Sequence, residues 1–186
     1  QQYEPEHQVG TQFAWALHRI RYDEPAWLEN WVRQADADED SPAMRILNSQ
    51  HQFDEPVLQE IRRLYPSAAP AAQRALLHSL SWLARQLAKD LEAGLLNTIG
   101  KDIFTWYEQA TDSRVRRACL NLLGHWPDDE IDIPAKLQAI LTEPGLPEPE
   151  RKAAYVALAR QAGKDNTGQE KAADFFLAYR HDAVAH

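Results

Sequence analysis

The 186 residues carry 28 acidic and 20 basic side chains, for a net charge of −8, and 44% are hydrophobic, which suits one soluble globular domain with a continuous core. No apolar run approaches the ~20 residues that cross a bilayer; the longest candidate, 75–88, is interrupted by His78, Ser79, Ser81, Arg85 and Gln86, so a membrane span is excluded. Residues 1–60 hold 12 acids and 4 bases, 61–126 hold 5 and 9, and 127–186 hold 11 and 7; only the middle third is basic, which argues against nucleic acid, whose phosphate backbone calls for a basic footprint across the domain.

Helix signals dominate along the chain. Residues 9–21 place Phe13, Leu17 and Ile20 at helical spacing, widened by Trp15 and Ala16. Pro25 follows Asp23-Glu24 at a first-turn position, where a missing N–H costs nothing, and opens a helix through Trp27, Leu28, Trp31 and Val32. The acidic run 36–40 is a loop, and Pro42 opens a short helix through Met44, Ile46 and Leu47. Asp54-Glu55-Pro56 caps the next helix, with Val57, Leu58, Ile61 and Leu64, until Tyr65-Pro66 ends it. Pro70 opens a long helix whose stripe is Ala75, Leu76, Leu80, Leu83 and Leu87. The segment 90–110 is expected to break near 97–100 and resume through Ile103, Phe104, Trp106 and Tyr107. Asp112 or Ser113 caps a helix that Gly124 closes and Trp126-Pro127 leaves. A short helix over 134–141 follows, Pro147-Glu148-Pro149 leads into another ending at Gly163, and a last one within 168–186 carries Ala172, Phe175, Phe176 and Tyr179. Strand-like alternation and hairpin dipeptides are missing, so the fold is predicted to be all-α.

Three segments superimpose without gaps: Ala72-Gln-Arg-Ala-Leu-Leu-His-Ser-Leu80, Val115-Arg-Arg-Ala-Cys-Leu-Asn-Leu-Leu123 and Glu150-Arg-Lys-Ala-Ala-Tyr-Val-Ala-Leu158. Ala75, Ala118 and Ala153 coincide, as do Leu80, Leu123 and Leu158, with offsets of 43 and 35 residues, in the range of ~35–47 residues for helix-pair repeats. Alanine at the first position lets neighbouring helices approach, and leucine at the second fills the space between layers. A shorter helix precedes each segment, at 54–64, 101–110 and 134–141.

The stretch 111–124, Thr-Asp-Ser-Arg-Val-Arg-Arg-Ala-Cys-Leu-Asn-Leu-Leu-Gly, resembles the second helix of a HEAT repeat, and about two thirds of the chain, 54–163, resembles HEAT or armadillo-like repeat proteins. The resemblance implies an α-solenoid of helix pairs over 54–163, within a single all-α domain spanning 1–186. Residues 1–50 depart from the pattern and are expected to form atypical capping helices, with a C-terminal helix in 168–186. It also implies that the second helices line a concave face. Arg114, Arg117, Asn121 and His125 share one helical face by their spacing, and the repeat offsets align Arg117 with Arg74 and Lys152, Asn121 with His78 and Val156, and His125 with Trp82 and Arg160. A ladder of cations, Arg74–Arg117–Lys152, is thus predicted, suited to an acidic segment of a partner unless it is a solvated face of little energetic weight. Arg116 aligns with the arginine that such repeats use inside the stack, and Asp112 is its expected partner.

Other patterns point away from chemistry. Asp36, Asp38 and Asp40 imitate a calcium loop, but Ser41, Pro42 and Leu47 stand where that loop needs its glycine, backbone ligand and glutamate. The seven His form no HExxH and the single Cys119 cannot join a zinc site or an internal disulfide; on its apolar face it reads as a small core side chain. No phosphate loop, dinucleotide fingerprint or nucleophile elbow occurs, and Asp128-Asp129 beside Pro127 reads as a loop. The chain begins Gln1-Gln2-Tyr3 rather than with Met, from which we expect a removed segment, whether a secretory signal or a stretch lost at an artificial boundary; cytoplasmic and exported locations both stay open. No cofactor or metal is expected. The functional expectation is a non-catalytic scaffold or adaptor that binds protein through Arg74, His78, Trp82, Arg114, Arg117, Asn121, His125, Lys152 and Arg160. The alternative is an inhibitor or immunity-type protein whose acidic N-terminal third blocks a basic toxin or enzyme, and a third option is an enzyme with a pocket between repeats.

Overall fold

A computed structural model describes residues 27–35, 43–44, 47, 55–86, 91–127 and 130–163; among them the only regular structure is helical. The expected helices over 9–21 and 168–186, the acidic run 36–40, and Pro42, Asp54, Leu87, Asp128 and Asp129 lie outside the described residues. The chain divides into two compact units, Gln1–Leu83 and Ala84–His186.

In the first unit, α1 (Trp27–Gln34) packs against α2 (Glu55–Leu64). Leu28 and Val32 of α1 are buried, as are Val57, Leu58, Ile61 and Leu64 of α2, each set one turn apart. Pro66 forbids the helical conformation at Tyr65 from continuing regularly, so α2 tightens into a 3₁₀ turn, Tyr65–Ser67. Helix α3 (Pro70–Gln86) opens on the proline and buries Ala72, Ala75, Leu76, Leu77, Leu80 and Leu83. Ser79, also buried, donates its hydroxyl to the carbonyl of Leu47.

The second unit holds α4 (Ala93–Gln109), α5 (Ser113–Leu123), α6 (Ile133–Leu141) and α7 (Glu148–Ala162). Asp112 starts α5 with its carboxylate, which accepts the amides of Arg114 at 2.7 Å and Val115 at 3.2 Å, satisfying two otherwise orphaned donors. Asp132 does the same for α6, accepting Ala135 N at 3.2 Å from a left-handed backbone (φ 49°) that aspartate tolerates better than most side chains.

The expected break near 97–100 does not occur, and α4 runs unbroken through it. Gly100 serves packing instead: a Cβ there would overlap Ile131 Cδ1 and lie 3.0 Å from Trp126 Nε1. Trp126 is fully buried and donates that nitrogen to Leu96 O at 3.0 Å, so the stretch after α5 is pinned to α4. The glycine lies in the helix for the sake of the indole.

Helix α4 packs on α5, α6 on α7, and α5 on α7. The last two run parallel. Near their starts Arg116 of α5 meets Glu150 of α7. At their ends the space of a Gly124 side chain lies 2.8 Å from Ala157 Cα. There the Gln161 side-chain amide also donates to Leu123 O and, at 2.8 Å, to Trp126 O. Residues 33 or 34 apart in sequence thus face one another along the shared interface.

Candidate functional site

The aligned segments of α3, α5 and α7 carry one burial pattern. Ala72, Val115 and Glu150 are buried, and so are Leu76, Cys119 and Ala154; Ser79, Leu122 and Ala157; and Leu80, Leu123 and Leu158. Ala75 and Ala153 are buried, but Ala118 is half-buried, at the edge between the inner and outer faces of α5.

A second likeness among the three segments is polar. Gln73, Arg116 and Arg151 occupy the same aligned position, and each reaches back to the end of the preceding helix or just past it. Gln73 Nε2 donates to Tyr65 O at 3.1 Å, just past the end of α2. Arg116 Nη2 donates to the Tyr107 hydroxyl at 2.8 Å, near the end of α4. Arg151 donates to Leu141 O at 3.2 Å, the last residue of α6. The long donor ties the second helix of each pair to the end of the first.

Arg116 does more, and its partner differs from the one expected. Asp112 is occupied as the cap of α5, and the carboxylate that meets Arg116 belongs to Glu150, 3.2 Å away. Neither Nε nor Oε2 has a hydrogen bond, so the attraction between them is Coulombic. The guanidinium also lies 4.5 Å from the Tyr107 ring centroid. No local signal in the sequence links residues 116 and 150.

Burial pushes the Tyr107 hydroxyl above its ordinary value, against the hydrogen bond from Arg116, which lowers it. A raised folded-state pKa stabilises fully below the unfolded value and is lost as pH rises through the folded one, so this contribution should fade above pH ~10. In a tyrosinate absorbance titration, some of the six tyrosines should ionise late. Tyr107→Phe should shrink that late fraction; an unchanged titration would contradict the assignment.

The outward positions follow. In the first unit Arg74 and Trp82 are half-buried and His78 is exposed. In the second, Arg114 and Asn121 are exposed on α5, Arg117 and His125 are half-buried, and Lys152 and Arg160 are exposed on α7. Arg160 is brought to the end of α5, its Cδ 3.3 Å from the space a Gly124 side chain would fill. Lys152 pairs with Glu148 at 2.6 Å, and the ammonium holds that carboxyl below its usual range. Arg117 makes one long bond, Nε to Ser113 O at 3.4 Å. Arg114, Arg117 and Arg160 have no carboxylate partner among the described residues. Beside them Val156, 44% exposed, is the one large hydrophobic side chain so exposed among the described residues.

Two of the tryptophans differ in exposure. Trp126 belongs to the core, whereas Trp82 keeps part of its surface in solvent. In the first unit an open hollow of about 410 Å³ lies among Glu29, Val32, Arg33, Arg63, Leu64 and Ser67. Its charges are mutually satisfied. Glu29 accepts from Arg33 and, at 2.6 Å, from Arg63, which also binds Glu60 through two nitrogens at 2.6 and 2.8 Å. The Arg63 hydrogen bond and the charge of Arg33 hold the Glu29 carboxyl below its ordinary value.

Among the described residues, no group of His, Cys, Asp or Glu is placed to hold a metal ion, and no helix is long and apolar enough to cross a membrane. Set against protein-family models, curated proteins and solved structures, the chain finds no match.

Proposed function

We propose that the chain is an α-solenoid of HEAT-like helix pairs that works as a non-catalytic protein-binding module, a scaffold or adaptor, holding an acidic segment of a partner against the outward face of its second helices. The repeat reading is supported by the shared burial pattern of α3, α5 and α7 and by the equivalent reach of Gln73, Arg116 and Arg151. The parallel packing of α5 on α7, with partners 33 or 34 residues apart, agrees with the aligned offset of 35.

The binding reading is carried by one observation: among the described residues, Arg114, Arg117 and Arg160 have no carboxylate partner, whereas Arg33, Arg63, Arg116 and Lys152 do. An arginine on a fixed helix offers several donors in a planar fork matched to a carboxylate. The charges favour an acidic partner, through association rate and specificity more than through raw affinity.

Charge reversal tests it. Arg117→Glu with Arg160→Glu should weaken capture of the native partner by at least about tenfold, ~1.4 kcal/mol, and flatten its salt dependence, while leaving the helical signal unchanged. The competing reading, a block on a basic toxin or enzyme, rests on the 12 acids against 4 bases in residues 1–60. Under that reading, Asp36→Asn, Asp38→Asn and Asp40→Asn together would abolish binding and the arginine reversals would spare it.

A further inference from the structure

We infer that a second copy of the chain supplies an acidic segment to this face: the run Asp36-Ala-Asp-Glu-Asp40 of one molecule lies against Arg114, Arg117 and Arg160 of the next. The inference rests on the acid-binding reading above and names a partner for it.

The run holds four acids in five residues, and no basic residue stands between Gln34 and Met44. The only other run as dense, 128–132, is built into its own unit, where Ile131 is buried and Asp132 caps α6. On either side of the first run the chain is anchored: Ala35 is buried before it, and Ala43 and Met44 after it. A short segment held at both ends has less freedom to lose on binding than a free tail. Arg33 and Arg63, the cations of that unit with carboxylate partners, answer Glu29 and Glu60.

The two surfaces also agree in length. Asp36, Asp38 and Asp40 recur at every second position, so in an extended segment they share one side and span ~13 Å. Arg114 and Arg117 are one turn apart on α5, and Arg160 is brought to Gly124, seven residues past Arg117. At ~1.5 Å per residue the cations cover ~15 Å.

Run and face belong to different units of the chain. The contact is therefore head-to-tail, and each molecule at an end keeps one run or one face unused, so growth is open-ended unless a ring closes. A net charge of −8 makes copies repel at long range, which keeps the association weak. That repulsion also sharpens the test. Asp36→Asn, Asp38→Asn and Asp40→Asn together remove negative charge and relieve it, yet the contact requires association to fall.

Sedimentation velocity of the full chain reads the outcome. At ~0.01 M salt, where exposed charges act over ~30 Å, the average sedimentation coefficient should rise with concentration; at ~1 M, where they act over ~3 Å, the rise should vanish. The triple asparagine variant, and Arg117→Glu with Arg160→Glu, should each stay monomeric and keep the native helical circular dichroism. Arg160→Glu alone, at an exposed position, should weaken association about tenfold. Mixed together, the triple and double variants should form a one-to-one dimer and stop there, because the first keeps only its basic face and the second only its acidic run. Association that the asparagine substitutions leave unchanged or strengthen would overturn the second-copy contact. So would a mixture that stays monomeric, or a native chain that is monomeric at every concentration. In each of these cases, partner capture still weakened by the arginine reversals would leave the acid-binding reading standing, and capture indifferent to them would overturn that reading itself.

Discussion

Trp126→Ala should destabilise the protein by about 3–5 kcal/mol, the usual cost of truncating a large buried aromatic, against a typical domain stability of ~5–15 kcal/mol. The indole is fully buried, is held by its hydrogen bond to Leu96 O, and fills the space that Gly100 leaves open on α4. Little around it can collapse into the hole, because Gly100 has no side chain to move. Gly100→Ala gives the complementary result. Alanine is the better helix former by ~1 kcal/mol, but its Cβ would overlap Ile131 and press on the indole ring, and overpacking costs ~1–3 kcal/mol. Ile131 can rotate its terminal methyl away, whereas the hydrogen-bonded indole cannot, so Gly100→Ala should be a net loss. In a Trp126→Ala background the obstacle is gone, and the same substitution should be neutral or stabilising. Urea denaturation followed by circular dichroism measures all three variants; additive effects in the double variant would contradict this packing.

Arg116→Ala should cost more than Glu150→Ala, although both break the same ion pair. The Glu150 side chain is 2% exposed and the Arg116 side chain 26%. Truncating the arginine strands a carboxylate out of reach of water, and losing one partner of a buried pair costs about 3–5 kcal/mol. Truncating the glutamate leaves a guanidinium that still binds the Tyr107 hydroxyl and can turn its remaining donors to solvent, so the loss should fall below that range. Glu150 also sits in the first turn of α7, where a negative charge is favourable by ~0.3–1 kcal/mol, too little to reverse the order. Chemical denaturation of the two single variants decides it; equal losses, or a larger one for Glu150→Ala, would show that burial does not set the cost.

The sequence was readable where the physics is local. Pro70 and Asp112 marked helix starts because a missing N–H and a capping carboxylate act within a few residues. The three aligned segments share most of one burial pattern, with Ala118 half-buried where Ala75 and Ala153 are buried. What escaped was set by distant partners. Gly100 looked like a helix breaker because its real neighbours, Trp126 and Ile131, are 26 and 31 residues further along. Arg116 was given the nearest acid, Asp112, although that carboxylate was needed by its own helix end and the interface supplies Glu150 instead. Val156 was aligned with the outward His78 and Asn121, and it is exposed as they are. The charge pattern at Glu29, Arg33 and Arg63 was invisible because it joins α1 to the end of α2 across 34 residues.

The parallel contact of α5 with α7 supports the repeat reading, and a disulfide probes it directly. The place of a Cβ on Gly124 lies 3.2 Å from Ala157 Cβ and 2.8 Å from its Cα, under the ~3.5–4.5 Å between Cβ atoms that a disulfide spans, so the two helix backbones must move apart to admit the bond. With Cys119→Ala removing the native thiol, Gly124→Cys and Ala157→Cys should form a bond on mild oxidation and move the chain faster on a non-reducing gel. A folded, helical double variant whose two thiols stay free under the same conditions would contradict the side-by-side stacking of the helix pairs.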